Sequence, residues 1–292
     1  MAKPFRFSKM AGGGNDFVVI DNRRGAVDDA VALTKRICTA HISVGGDGLI
    51  LIEPSQRADF RMRYFNNDGS AGEFCANGTR CAARFAVLND IAPQKMTIET
   101  DAGLVKAEVT AQGVVTLALP SPSRFRAERP LRVEGETVRG SSILMGVPHY
   151  VLHPSSDLWS LDIVALGRAV RFHPDLSGDG GANVNFVVVR DEHSIEVRTY
   201  ERGVEAETLS CGSGVVASVS VSALFGKVAS PVSVLTRSGI VLRVAFTREG
   251  DAIRDVRLTG DARLIFTTEL TPETLEGFDP EWVRQPQSEV TR

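Results

Sequence analysis

Four cysteines, Cys38, Cys75, Cys81 and Cys211, hold most of the reactive chemistry of this 292-residue chain, and two of them share a setting. Cys75-Ala76-Asn77-Gly78 and Cys211-Gly212-Ser213-Gly214 are both C-x-x-G sequences, and each opens a segment of helical apolar spacing. A cysteine at a helix start faces unpaired backbone N–H groups and the positive end of the macrodipole. That setting predicts a thiol pKa drawn down from ~8.5 toward neutrality, which frees a thiolate to act as a base. The same amides, unobstructed where Gly78, Gly212 and Gly214 are small, predict a carboxylate site. Two thiols facing one pocket suit proton transfer at carbon. One thiolate removes a proton and the opposing thiol returns one to the other face, so configuration inverts without redox change. Adjacent anions repel, so the pair divides into one thiolate and one thiol. Paired helix N-termini offset the charge that develops beside the substrate carboxylate. These residues point to a racemase or epimerase that uses no cofactor.

The remaining polar residues are read against blander roles. Cys81, which lies on the apolar side of its segment with Phe85, and Cys38, within the Ala30 to Ala40 pattern, are packing residues, the usual fate of a free cysteine. There is no C-x-x-C, and His41, His149, His153, His173 and His193 lack zinc-ligand spacing with any cysteine, so no metal site is expected. Gly12-Gly13-Gly14 lacks the context of a dinucleotide fingerprint and Gly45-Gly46-Asp47-Gly48 lacks the Lys-Ser/Thr of a phosphate loop; both read as turns. Glu201-Arg202, shortly before Cys211, is either a solvated ion pair or part of the same cleft. Asn15, Asn66, Asn77 and Asn183 are either turn residues or paired donors and acceptors for a polar substrate.

Positioning these groups falls to a strand-rich chain. Strands are predicted at Phe17 to Ile20, Leu49 to Glu53, Phe60 to Phe65, Met96 to Thr100, Val105 to Val109, Val114 to Leu119, Val184 to Val189, Ile195 to Tyr200, Val232 to Leu235 and Val241 to Phe246. Helices are predicted at Ala30 to Ala40, Cys75 to Leu88, Leu161 to Val170 and Cys211 to Leu224. The clustering of strands favours α+β over a doubly wound sheet. Thr100-x-x-Gly103 and Thr236-x-x-Gly239 each precede an alternating strand, and each glycine lies 28 residues beyond its cysteine. Asn15-Asp16-Phe17-Val18-Val19 also parallels Asn183-Val184-Asn185-Phe186-Val187-Val188. An internal duplication into two similar domains follows, and the length suits two cores.

Composition narrows the partners. The chain is 43% hydrophobic and 24% charged, with 27 Gly, 13 Pro and a net charge of −3, which excludes disorder, collagen-like repeats and coiled coil. Without a basic run there is no electrostatic footprint for nucleic acid, so a small molecule is the expected partner. The apolar runs fall short of the ~20 residues that span a bilayer, so no membrane partner is expected. Met1 to Met10 carries Lys3, Arg6 and Lys9 but no following apolar core or cleavage site. The expected location is the cytoplasm, where thiols stay reduced.

Further motifs extend the pattern: Lys9-Met10-Ala11-Gly12-Gly13-Gly14-Asn15-Asp16-Phe17, Phe65-Asn66-Asn67-Asp68-Gly69-Ser70, Cys75-Ala76-Asn77-Gly78-Thr79-Arg80-Cys81, Gly146-Val147-Pro148-His149, Tyr200-Glu201-Arg202-Gly203, and Glu207-Thr208-Leu209-Ser210-Cys211-Gly212-Ser213-Gly214. In order, from about residue 5 to 270, they resemble the diaminopimelate epimerase family. The resemblance implies interconversion of LL- and meso-diaminopimelate, on the way to lysine and peptidoglycan, without cofactor or metal. It implies two pseudo-symmetric α+β domains, each a curved, mostly antiparallel sheet or barrel around a central helix, and a homodimer. The domains would be residues 1–122, completed by a strand at 261–270, and residues 123–260, with a polar tail at 271–292. By resemblance Cys75 and Cys211 are the acid/base pair, and Ala76, Asn77, Gly212 and Ser213 hold the carboxylate at the reacting carbon. Asn15, Asn66, Asn183, Glu201 and Arg202 hold the rest of the substrate, with His149 in support. Two positions depart from the family: Val147 stands where many members have Asn, and Gly48 where some have Gln. Both belong to substrate contacts beyond the thiols, where a missing amide bears on which ligand is accepted. The competing readings are a proline or hydroxyproline type racemase on the same fold, and a thiol redox sensor in which Cys75 and Cys211 form a reversible disulfide.

Overall fold

The computed structural model describes residues 6–110, 113–133 and 135–276. Strands β1 (Arg6–Gly12) and β2 (Asn15–Asp21) form a hairpin. Its turn residues Gly13 and Gly14 sit at φ 64° and 99°, which glycine adopts without strain. Helix α1 (Ala30–Ile37) follows, its Ala32 amide capped by the Asp29 carboxylate. Next come β3 (Gly48–Glu53), β4 (Phe60–Asn66), the short β5 (Ala71–Gly72) and helix α2 (Ala76–Leu88). Strands β6 (Lys95–Thr100), β7 (Gly103–Val109) and β8 (Val114–Ala118) finish this series.

A second series repeats it. Strands β9 (Ser123–Val133), β10 (Glu136–Met145) and β11 (Val147–Leu152) precede helix α3 (Ile163–Arg171). Strands β12 (Asn183–Asp191), β13 (Ser194–Glu201) and β14 (Ala206–Thr208) lead into helix α4 (Gly212–Leu224). Strands β15 (Val232–Thr236), β16 (Val241–Glu249), β17 (Ala252–Asp261) and β18 (Arg263–Glu269) follow, then a short helix α5 (Pro272–Glu276) that packs on α1. The predicted strands and four predicted helices are all present; residues 277–292 of the expected tail lie outside the described residues.

Pairing makes the duplication explicit. β1–β2, β3–β4, β6–β7 and β7–β8 are antiparallel, while β2–β3 and β4–β6 are parallel. β10–β11, β12–β13, β15–β16 and β16–β17 are antiparallel in turn, while β11–β12 and β13–β15 are parallel. β9 lies on β10 as β18 lies on β1, and β8 pairs with β17, its own counterpart, across the junction. The register Phe17↔Gly48 matches His149↔Asn183, so Asn15 is the counterpart of Val147, and Gly48 of Asn183. Asn66, opposite Gly48, is the counterpart of Glu201, one residue past the Val184↔Tyr200 pair. This corrects one expectation: the Asn-Phe-Val-Val likeness aligns β2 with β12, whereas the pairing equates β2 with β11. Both likened strands are buried, and buried strands draw on the same β-branched and aromatic residues whatever their place.

Each central helix has its own wrapping. α2 packs against β1, β2, β3, β4, β7 and β8, and α4 against β10, β11, β12, β13, β16 and β17. In α4 every residue except Ser213 and Leu224 is buried. A helix apolar on all sides is stable only inside such a shell, where each buried valine contributes roughly 1.5–3 kcal/mol. The result is the expected α+β arrangement of two equivalent curved sheets, each around a helix. Among the described residues no helix is long and apolar enough to cross a membrane.

Candidate active site

Cys75 and Cys211 are the N-cap residues of α2 and α4, with φ/ψ of −136°/109° and −117°/109°. The two helix starts abut: a Cβ placed on Gly212 would lie 2.8 Å from the Ala76 Cβ. Both cysteines are free, and Cys211 is 6% exposed. The Gly78 amide donates to the Cys75 Sγ at 3.4 Å. Cys211 Sγ lies 3.4 Å from the Ser213 hydroxyl and 3.9 Å from Asn183 Nδ2. The first-turn amides of Ala76, Asn77, Gly212 and Ser213 have no acceptor within their own helices, and the two helix starts that carry them abut.

Burial reverses the expected acidity of these thiols. Loss of solvation pushes Cys75 up to about 11 despite the Gly78 and Asn77 amides and the buried Arg80 guanidinium, with Glu201 adding to the rise. Cys211 is pushed up further, again by burial first and the Glu201 carboxylate second, against Ser213 and the Gly214 amide. A helix terminus gives a fraction of a charge, and taking a thiolate out of water costs more. Glu201 itself is raised by burial, with its Thr208 and Cys211 contacts opposing. Cys75, only half-buried and receiving the Gly78 amide, keeps more access to solvent than Cys211.

Polar residues converge from both halves. Asn77 Nδ2 donates to Asn15 Oδ1 at 2.7 Å and to the Ser210 carbonyl at 3.4 Å, and Asn15 Nδ2 donates to Asp47 at 2.8 Å. Arg80, fully buried, donates to Asn77 Oδ1 at 2.8 Å and to the Asp261 carbonyl at 3.2 Å. On the other side the Arg202 amide donates to Asn183 Oδ1 at 2.8 Å. Asn185 is oriented by Thr199, whose hydroxyl donates to its Oδ1 at 3.0 Å, so its Nδ2 donates to His149 Nδ1 at 3.1 Å. The Nε2 of His149 then carries the proton, and it is buried without a hydrogen-bond partner. Burial lowers His149 to about 3, with Arg202 contributing, so the ring is neutral. A cleft of about 500 Å³ opens beside His149, but neither thiol lines it.

The structure thus gathers Cys75, Ala76, Asn77, Asn15, Cys211, Gly212, Ser213, Asn183, Glu201, Arg202 and His149 around one point. Gly48 and Asn66 form a cross-strand pair on its flank, and Val147 shares the face of β11 with His149, offering only carbon. Sequence reasoning missed Asp47, Tyr64, Arg80 and Asn185. For Asn185 a signal existed, since it lies two residues from Asn183 on the same strand face; for Arg80, an arginine inside a helix gives no sign of burial. Among the described residues no cluster of His, Cys, Asp and Glu could hold a metal ion.

Two equivalent sheet-wrapped helices that meet at their N-termini define a fold class with solved examples. A PhzF-family phenazine biosynthesis protein from Bacillus anthracis superimposes with a TM-score of 0.70 at 15% identity, covering 92% of this chain and 99% of that one. A probable proline racemase from Agrobacterium radiobacter K84 gives 0.70 at 14% identity, covering 94% of each chain. A hydroxyproline epimerase from Agrobacterium vitis gives 0.69 at 16% identity, covering 91% of this chain and 92% of that one. At such identities the likeness is one of fold alone. Sequence is more specific: the diaminopimelate epimerase family model matches residues 7–122 and 141–265. The curated diaminopimelate epimerase of Aquifex aeolicus (strain VF5) is 44% identical over 282 residues, 92% of this chain and 99% of that protein. That of Archaeoglobus fulgidus is 36% identical over 274 residues, covering 89% and 94%. The chain belongs to the diaminopimelate epimerase family.

Proposed function

We propose that this chain interconverts LL- and meso-diaminopimelate by two-base proton transfer between Cys75 and Cys211, with no cofactor. The observation that carries the reading is the matched placement of two free thiols, Cys75 half-buried and Cys211 buried, at the N-caps of abutting helices. The substrate α-carboxylate is held by the amides of Ala76, Asn77, Gly212 and Ser213, which concentrate positive potential where negative charge develops. Cys75, once ionised, takes the α-proton: an S–H bond forms, the C–H bond breaks, and its electron pair delocalises toward the carboxylate. The Cys211 thiol then delivers its proton to the opposite face, leaving its own sulfur as thiolate. Configuration is inverted, and the pair is left with its protonation states exchanged, ready for the reverse isomer.

Neighbouring groups sustain that exchange. Glu201, pressed against Cys211, disfavours a second thiolate and so keeps at least one proton on the two sulfurs. Asn15, Asn66, Asn183, Glu201 and Arg202 receive the remainder of the two-ended zwitterion, while the neutral His149 presents its Nε2–H as a fixed donor beside them. Residues 1–122 with 261–270 form one lobe and residues 123–260 the other. The protein works in the cytoplasm, where both thiols remain free, and as a homodimer. What supports dimerisation is β18: all seven of its residues are exposed, Leu264, Ile265 and Phe266 among them, while β1 occupies one edge.

The test is proton NMR of LL-diaminopimelate in D2O with reduced protein. Loss of the α-proton signal together with appearance of the meso isomer is the expected result. Exchange of proline or hydroxyproline with none of diaminopimelate would overturn the substrate assignment.

A further inference from the structure

Gly48 has no side chain, although its counterpart in the other half, Asn183, supplies an amide to the site. The space over Gly48 is taken by the Phe65 carbonyl and by the ring of Tyr64. That ring would lie 2.7 Å from a Cβ on Gly48 and 2.5 Å from one on Gly72, and it stands edge-on to Phe17 at 6.0 Å. Tyr64 and Asn66, two residues apart on β4, share one strand face. The Tyr64 hydroxyl donates to Asn66 Oδ1 at 2.7 Å, and Asn66 Nδ2 donates to Ser70 Oγ at 3.0 Å. Both ends of the Asn66 amide are thus oriented by protein, so the assignment of its oxygen and nitrogen is fixed and one N–H remains for a substrate acceptor.

We propose that Tyr64 is a positioning residue of the substrate site: through its hydrogen bond to Asn66 it aims the remaining Asn66 N–H at the substrate, in place of the amide absent at Gly48. The inference rests on the proposed function. Burial holds the phenol protonated, and the charges at Cys75, Asp47 and Glu201 act in the same direction, which places the ring within electrostatic reach of Cys75. Phenylalanine at this position keeps the ring against Gly48, Gly72 and Phe17 and removes only the hydroxyl. The Asn66 amide is then held at one end only, by Ser70 Oγ, and part of its binding contribution goes to re-fixing the other.

The experiment is a double-mutant cycle on the full chain with Tyr64→Phe, Asn66→Ala and the pair, reading KM and kcat for LL-diaminopimelate together with thermal melting. Tyr64→Phe is expected to raise KM about 5- to 10-fold, the loss of one hydrogen bond, with kcat within about 3-fold of wild type. In the Asn66→Ala background the same change is expected to raise KM no further, because a residue acting through Asn66 has nothing left to orient. An unchanged KM in Tyr64→Phe, or an undiminished effect in the Asn66→Ala background, would overturn the proposal. Wild type that leaves diaminopimelate untouched would instead overturn the proposed function. The cycle is then run on the amino acid whose α-proton it does exchange, where additive losses likewise remove Tyr64 from this role.

Discussion

Gly212→Ala tests whether the contact between the two helix starts sets the spacing of the thiols. The added methyl would lie 2.8 Å from the Ala76 Cβ, against the 3.5–4.0 Å of ordinary carbon contact, so the helix starts must part by about 1 Å. Each start carries its cysteine one residue earlier, and a displacement of 1 Å at reacting atoms costs about 10²-fold in rate. Kinetics of LL to meso conversion should therefore show kcat down by about 10²-fold. Alanine favours a helix over glycine by about 1 kcal/mol, so the melting temperature should not fall to match. Ala76→Gly in the same chain moves the methyl from one helix to the other; the next neighbour of the new Cβ is then Leu258 Cδ2 at 3.4 Å, the tip of a side chain that can turn away. The double variant should regain most of the lost rate. Wild-type kcat in Gly212→Ala, or a double variant no faster than the single one, would refute the reasoning.

Other expectations follow from the same geometry. Cys75→Ala and Cys211→Ala should each fold and lose epimerisation by about 10³-fold or more, the worth of a positioned acid or base, and near-normal turnover in either would end the two-base assignment. Because burial raises Cys75 to about 11 from an ordinary 9.0, the thiolate grows with pH, so kcat/KM should climb from pH 7 to 9; a flat profile would contradict it. By the same linkage the stability that the neutral Cys75 gives is complete below pH 9 and lost as pH rises through about 11, a slope of up to about 1.4 kcal/mol per unit that Cys75→Ala should abolish in denaturant titrations. His149 and His153, lowered by burial to about 3 and about 4 from 6.5, contribute stability that is complete above pH 6.5 and lost as pH falls toward those values. Replacing both with Asn should flatten the acid limb of the unfolding curve. Arg80→Met should leave Asn77 Oδ1 unpaired and raise KM, and unaltered KM would remove Arg80 from the support of the site.

The chemistry of this chain was more legible than its sheet. Cys75 and Cys211 announce themselves because a C-x-x-G at a helix start is local, as is the equal spacing to Gly103 and Gly239. Strands β2, β3 and β12 show plainly as apolar runs because they are buried. β9 and β18 do not: β9 exposes most of its residues, Arg124 and Arg126 among them, and β18 exposes all seven, so neither carries an alternation to read. In β17 the alternation is broken at Asp255, which sits at φ 50°, and Ile253 and Val256 fall out of phase. Gly140 looks like a strand breaker within β10, yet it is where the Tyr150 ring crosses, in the place a Cβ would need. The acidity of the thiols was misjudged for a related reason. A helix terminus is written in the sequence beside the cysteine, while the solvent it loses and the Glu201 charge it meets depend on how distant segments fold around it.

The repeat is symmetric in space but not in time. Strands β9 to β17 are contiguous, so the C-terminal set can close around α4 as soon as it has been synthesised. The set around α2 needs β18 against β1 and β17 against β8, the last two of the described strands in chain order. Until then the nascent chain carries two unpaired edges, the kind of surface that recruits other strands. A product terminated before residue 252 would keep Cys75 and its helix yet lack the strands that seal them. Such a fragment exposes the strand edges that chaperones and proteases recognise, so enclosure of the Cys75 helix waits on synthesis of β17 and β18.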